Sequence, residues 1–76
     1  LETEQEVKTA DVPQNVMNAL KEKYADYEIE ESEISETASG TVYEFEMEKG
    51  ESKLEVAIDK TGKIVKSEKM TEEDND

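Results

Sequence analysis

Cysteine, histidine, tryptophan and arginine are all absent from this 76-residue chain. Their absence excludes disulfides, thiolate or imidazole metal sites, cysteine or histidine catalysis, and bidentate guanidinium recognition of phosphate. Apolar side chains are scarce too. Only 14 residues are Leu, Ile, Val or Phe, and 41% are charged, so the chain can build one small core at most. Positive charge is the next shortage: nine Lys stand against 22 Asp and Glu, for a net charge of −13. Such a chain repels polyanions, which argues against nucleic-acid and anionic-membrane partners and leaves proteins or cations. No apolar run approaches the roughly 20 residues that cross a bilayer, so no membrane insertion is expected.

The first ten residues hold one interior apolar side chain, Val7, among Glu, Thr, Gln and Lys. Too little can be buried there to offset the entropy of ordering it, and 1–10 reads as a flexible N-terminal arm. Residues 70–76 read as an acidic flexible tail for the same reason, leaving 11–69 as a single folded unit.

Within that unit Val12, Val16, Leu20 and Tyr24 recur every fourth residue and predict a helix over 12–24. Asp11 is placed to accept its first free N–H groups. Pro13 suits its first turn, while Lys21 and Lys23 complement the dipole at its other end.

The period then changes to two. Tyr43, Phe45 and Met47 alternate with glutamates, as do Leu54, Val56 and Ile58 with Glu55 and Ala57. Between them Gly50-Glu51 has the form of a type II′ two-residue hairpin loop, which pairs 49 with 52, 47 with 54, 45 with 56 and 43 with 58. That register brings every apolar residue of the hairpin to one face and sets Glu48 opposite Lys53. Asp59 to Lys63 reads as a type I turn closed by a left-handed Gly62, pairing Ile58 with Ile64.

A last strand follows near 63–69, and its uninterrupted register places Lys66 and Glu68 on the core face. In the first strand, near 27–35, Ile29 and Ile34 have opposite parity, so a bulge within Glu30-Glu31-Ser32-Glu33 is required. The predicted fold is α+β: one N-terminal helix on one face of a four-stranded antiparallel meander. Its core is Val16, Met17, Leu20, Tyr43, Phe45, Met47, Leu54, Val56, Ile58 and Ile64.

Twenty-two carboxylates invite an acid–base reading, yet a catalytic pair needs one desolvated member, and a domain this small has little interior to supply it. The chain therefore reads as a non-enzyme, with no catalytic residue, no cofactor and no dedicated metal site. Asp59-Lys60-Thr61-Gly62-Lys63 fails as a calcium loop because lysines occupy two of its positions. Glu30, Glu31 and Glu33, or the acids of 72–76, would be the ligands in the alternative reading, an acidic divalent-cation-binding (calcium) domain. One helix covers one sheet face, so the other face should be open, acidic and shallowly apolar. Its register sets Val65 beside Glu44 and Ala57, and Ser67 beside Glu46 and Glu55, making Glu44, Glu46, Glu55, Ala57 and Val65 the candidate partner-binding residues.

The order Val12-Pro13, Val16, Leu20, Tyr24, Tyr27-x-Ile29, Tyr43-x-Phe45, Leu54-x-Val56-x-Ile58-Asp59 and Gly62-Lys63-Ile64 resembles the PepSY-like domains. The nearest branch is the one described as beta-lactamase-inhibitor-like. The resemblance spans about 12–68. It implies a helix followed by about four antiparallel strands, and an extracytoplasmic location: secreted, periplasmic or at the cell surface of a bacterium. It also implies a binding or regulatory role of the peptidase-restraining or inhibitor-like kind, with a peptidase or envelope protein as partner and no catalytic residues. Ala25 departs from the pattern, standing where such domains often have Pro after the helix-end Tyr, and the chain has one copy where relatives often have two.

Overall fold

The computed structural model describes residues 3–70. Within it one helix, α1 (Gln14–Tyr24), packs on a five-stranded antiparallel sheet of β1 (Thr3–Glu6), β2 (Glu28–Thr37), β3 (Gly40–Lys49), β4 (Ser52–Asp59) and β5 (Ile64–Lys69). The strands lie in chain order, a simple meander. The α+β architecture is the predicted one, with a fifth strand added at the start: Thr3–Glu6 pairs with β2 instead of standing apart as an arm. Backbone hydrogen bonding to an edge requires no apolar side chain, which is why the composition of this segment gave no sign of it. The tail read at 70–76 falls, except for Met70, outside the described residues.

Val16 and Leu20 of α1 are buried against Phe45, Met47, Val56 and Ile58, with Tyr43, Leu54, Ile64 and Met17 partly buried around them. All ten predicted core residues belong to this cluster. Val12 joins it from outside the helix.

Helix α1 begins later than the apolar spacing suggests. Asp11 closes a short 3-10 turn, Thr9–Asp11, and no side chain caps α1. The Pro13 carbonyl accepts the amides of Val16 and Met17, both at 3.1 Å. Proline, with its fixed φ and a neighbour held extended, sets the helix entry in place of the aspartate. The far end is tied down by Tyr24, whose hydroxyl lies 2.9 Å from the Ser67 hydroxyl on β5 and whose ring meets Tyr27 edge-on at 5.8 Å.

The β3–β4 register is the predicted one, from Lys49↔Ser52 to Tyr43↔Ile58. Gly50 has φ 60 and Glu51 has a negative φ, as a type II′ loop requires. The bulge expected in β2 lies between Ile29 and Glu31, with Glu30 as the extra residue.

A second bulge corrects the sequence reading of β5. Ile64 pairs with Ile58 but Lys66 pairs with Ala57, so Val65 is the extra residue. The shift turns Lys66 and Glu68 away from the core and brings Ser67 and Lys69 to the helix side. Without it Lys66 and Glu68 would face Val56 and Leu54; the bulge puts Ser67 beside Val56 and leaves one charged side chain, Lys69, beside Leu54.

Candidate functional site

The sheet face opposite α1 is built by strand alternation from the glutamates between core residues. The observed pairings give two acidic rows across it. Glu6, Glu33, Glu44, Ala57 and Lys66 form one, and Glu31, Glu46, Glu55 and Glu68 form the next. Glu4, Ser35, Val42 and Asp59 form a third. Of the five candidate residues, Glu44, Glu46, Glu55 and Ala57 therefore share this face in adjacent rows.

Val65 does not join them. It lies in the β5 bulge, 51% exposed at the sheet margin, and Lys66 takes the place expected for it beside Ala57. Lys66 and Glu68 likewise take the places expected for Val65 and Ser67. Nor is Ala57 an exposed apolar spot: it is 4% exposed, directly between Glu44 and Lys66. Ser35, directly between Glu4 and Val42, is fully buried. Both small residues lie below their larger cross-strand neighbours on the pleated surface, out of water. The face presents charge, with its small residues beneath.

The charge is unevenly distributed. On the β5 side Lys66 lies 3.3 Å from Glu68 and 3.7 Å from Glu55, and at the hairpin end Lys53 lies 3.4 Å from Glu30. The rows place only Glu4, Glu6, Glu31, Glu33 and Ser35 on β1 and β2, with no lysine. Repulsion and partial burial raise the pKa values of two members. Glu46 beside Glu31 raises its carboxyl pKa above the ordinary carboxylate value, with burial and Glu33 adding to the effect. Burial raises that of Glu33, and Glu4, Glu46, Glu6 and Glu55 push the same way. Glu48, at the end of the face, is raised by a hydrogen bond shared with Glu30.

Carboxylate oxygens of Glu4, Glu33 and Glu44 lie within 4.8 Å of one another. Three hard oxygen donors could hold a calcium ion only with several waters, since that ion takes six to eight oxygens. Of the residues proposed as cation ligands from sequence, Glu33 belongs to this group. Glu31 stands in the neighbouring row, and Glu30 is the bulge residue paired with Lys53. Glu4 is the member of this group that sequence reasoning missed, and Glu6, opposite Glu33, is the other acid of the face that it missed. The available signal was the alternation Glu4, Glu6 against Gln5, Val7, which is a strand pattern with almost no apolar content.

No family model and no curated protein matches this chain.

Proposed function

We propose that this chain is a non-enzymatic protein-binding module that uses the acidic sheet face to dock a basic surface of its partner. The observation that carries this reading is the concentration of like charge on a rigid, hydrogen-bonded scaffold. Glu31, Glu33, Glu44, Glu46 and Glu55 are held in neighbouring rows, and the Glu31 carboxyl has its pKa raised chiefly by Glu46 beside it. A cationic partner relieves the repulsion, so binding gains electrostatic energy on both sides of the interface. No acid among the described residues is more than partly buried, which favours binding over acid–base catalysis. The helix-then-meander order is also the one that the resemblance to PepSY-like domains implies. On that reading the module is extracytoplasmic, and its partner is a peptidase or envelope protein restrained or regulated by docking.

The test is the affinity for a lysine-rich peptide at low and moderate salt. Three variants in combination, Glu44→Lys, Glu46→Lys and Glu55→Lys, are compared with a charge-matched set off the face, Asp11→Lys, Glu22→Lys and Glu51→Lys. Binding lost in the first set and kept in the second supports the face as the site. Equal loss in both would show only a response to net charge and would discard the assignment.

A divalent-cation site is the second reading, favoured by the proximity of Glu4, Glu33 and Glu44. Calcium titration by calorimetry separates the two. A stoichiometric site abolished by Glu33→Gln would support it, whereas heat indistinguishable from dilution would end it.

A further inference from the structure

Strand β1 is the shortest strand of the sheet and lies at its edge. It is four residues long, all four are exposed, and it pairs only with β2. Its open-face side chains are both glutamates, and both meet glutamates. Glu6 lies directly opposite Glu33, and Glu4 approaches Glu33 and Glu44 within 4.8 Å. Like charges directly opposite on adjacent strands destabilise the pairing, and short exposed edge segments open at little cost. What holds β1 is its backbone ladder, continued by the Val7 amide donating to the Ser32 carbonyl at 3.0 Å, with the Val7 side chain partly buried against the core just beyond its end. Any extended chain can make those backbone bonds.

Resting on the protein-binding reading above, we infer that β1 is a displaceable strand, and that the partner docks as an extended segment with lysine or arginine at alternate positions, replacing β1 along the edge of β2. Such a segment makes the same main-chain bonds. It also sets cations where Glu4 and Glu6 stand, opposite Glu33 and beside Glu31 and Glu44, so two repulsive positions become attractive ones. Charge complementarity thus selects the occupant: an acidic strand gains nothing over β1, a neutral one gains only relief of repulsion, and against both β1 keeps the advantage of being tethered. Displacement leaves the core in place, since none of Thr3–Glu6 contributes to the buried cluster.

The experiment uses the full chain and two synthetic peptides of about ten residues, one with lysine and one with glutamate at alternate positions separated by threonine and valine. Amide hydrogen exchange is followed with and without each peptide. The expected result is saturable binding of the lysine peptide alone, with loss of protection in Thr3–Glu6 and retained protection in β2. A double variant, Glu4→Lys with Glu6→Lys, should hold β1 in place and weaken lysine-peptide binding by about tenfold or more relative to wild type. A charge-matched control, Glu22→Lys with Glu51→Lys, should weaken it far less. Lysine-peptide binding with β1 still protected, or equal weakening in the two double variants, would overturn strand replacement while leaving the acidic face as a docking site. Absence of any binding to the wild-type chain would overturn both.

Discussion

The hydroxyl of Ser32 sits on the helix side of β2 opposite Phe45, 6% exposed, with no hydrogen-bond partner. A buried hydroxyl left unpaired costs about 1–3 kcal/mol of desolvation, so Ser32→Ala should stabilise the fold by about 1 kcal/mol, read from denaturant midpoints. An unchanged or lowered midpoint would mean that the hydroxyl is satisfied in solution. Asp59 is the opposite case. Its carboxylate accepts from the Thr61 amide at 2.9 Å, the Thr61 hydroxyl at 2.5 Å and the Lys63 amide at 3.1 Å, and the Thr61 hydroxyl bond leads in lowering its pKa. The same turn needs Gly62, which has φ 94 and whose absent Cβ would lie 3.4 Å from the Asn15 carbonyl oxygen. Gly62→Ala should therefore destabilise by about 1–2 kcal/mol, since it adds left-handed strain to a close approach of the helix. Gly50→Asn should cost less, through backbone strain alone, because a Cβ there meets nothing within 4 Å.

Among the elements, β5 yields the least intuitive expectation. Val65 is the extra residue of its bulge, so removing it leaves Ile64 opposite Ile58 and Lys66 opposite Ala57. Deleting Val65 should leave the folded structure intact with a small change in melting temperature. Deleting Ser67 should be far more damaging, because every later residue changes face and the Tyr24 hydroxyl loses its partner. Comparable melting temperatures for the two deletions would refute this bulge. The hairpin β3–β4 was fully legible in sequence, because loop chemistry and side-chain alternation there specify one register twice over. The bulge in β2 was legible as well, since Ile29 and Ile34 cannot share a face without one. In β5 the same kind of conflict, Lys66 and Glu68 directed at Val56 and Leu54, was present in the sequence but admitted two outcomes. An edge strand can project long side chains outward or insert a bulge, and packing decided for the bulge.

For the whole molecule, the acidic face makes stability depend on pH and salt. Glu31, Glu33 and Glu48 have pKa values raised in the fold, so the native state holds protons that the unfolded chain has already released. Their effect therefore erodes stability as pH climbs from the ordinary carboxylate range through their raised values. Asp59 and Glu30 are lowered, so their contribution is present above the ordinary carboxylate range and disappears as pH falls through their lowered values. The melting temperature should thus be higher at about pH 5 than at about pH 8, and the gap should narrow in moderate salt as repulsion is screened. A profile that rises steadily to neutral pH would show that the face is not repulsive. A direct check is Glu46→Lys, which replaces the like-charge pair Glu46↔Glu55 and should raise stability by about 0.5 kcal/mol.

The sequence by itself determined the α+β class, the helix face, the central hairpin and its register, and a sheet face made of glutamates. Each of these follows from local periodicity and turn chemistry, which are properties of neighbouring residues. Only the tertiary structure decided the rest: that Thr3–Glu6 is a strand, that Val65 leaves the acidic rows, that Ala57 and Ser35 lie buried within the acidic face, and that Glu4 meets Glu33 and Glu44. These depend on which edge lies free beside a segment and on which side chains from distant strands stand over a small one. Alternation along a single strand carries neither piece of information.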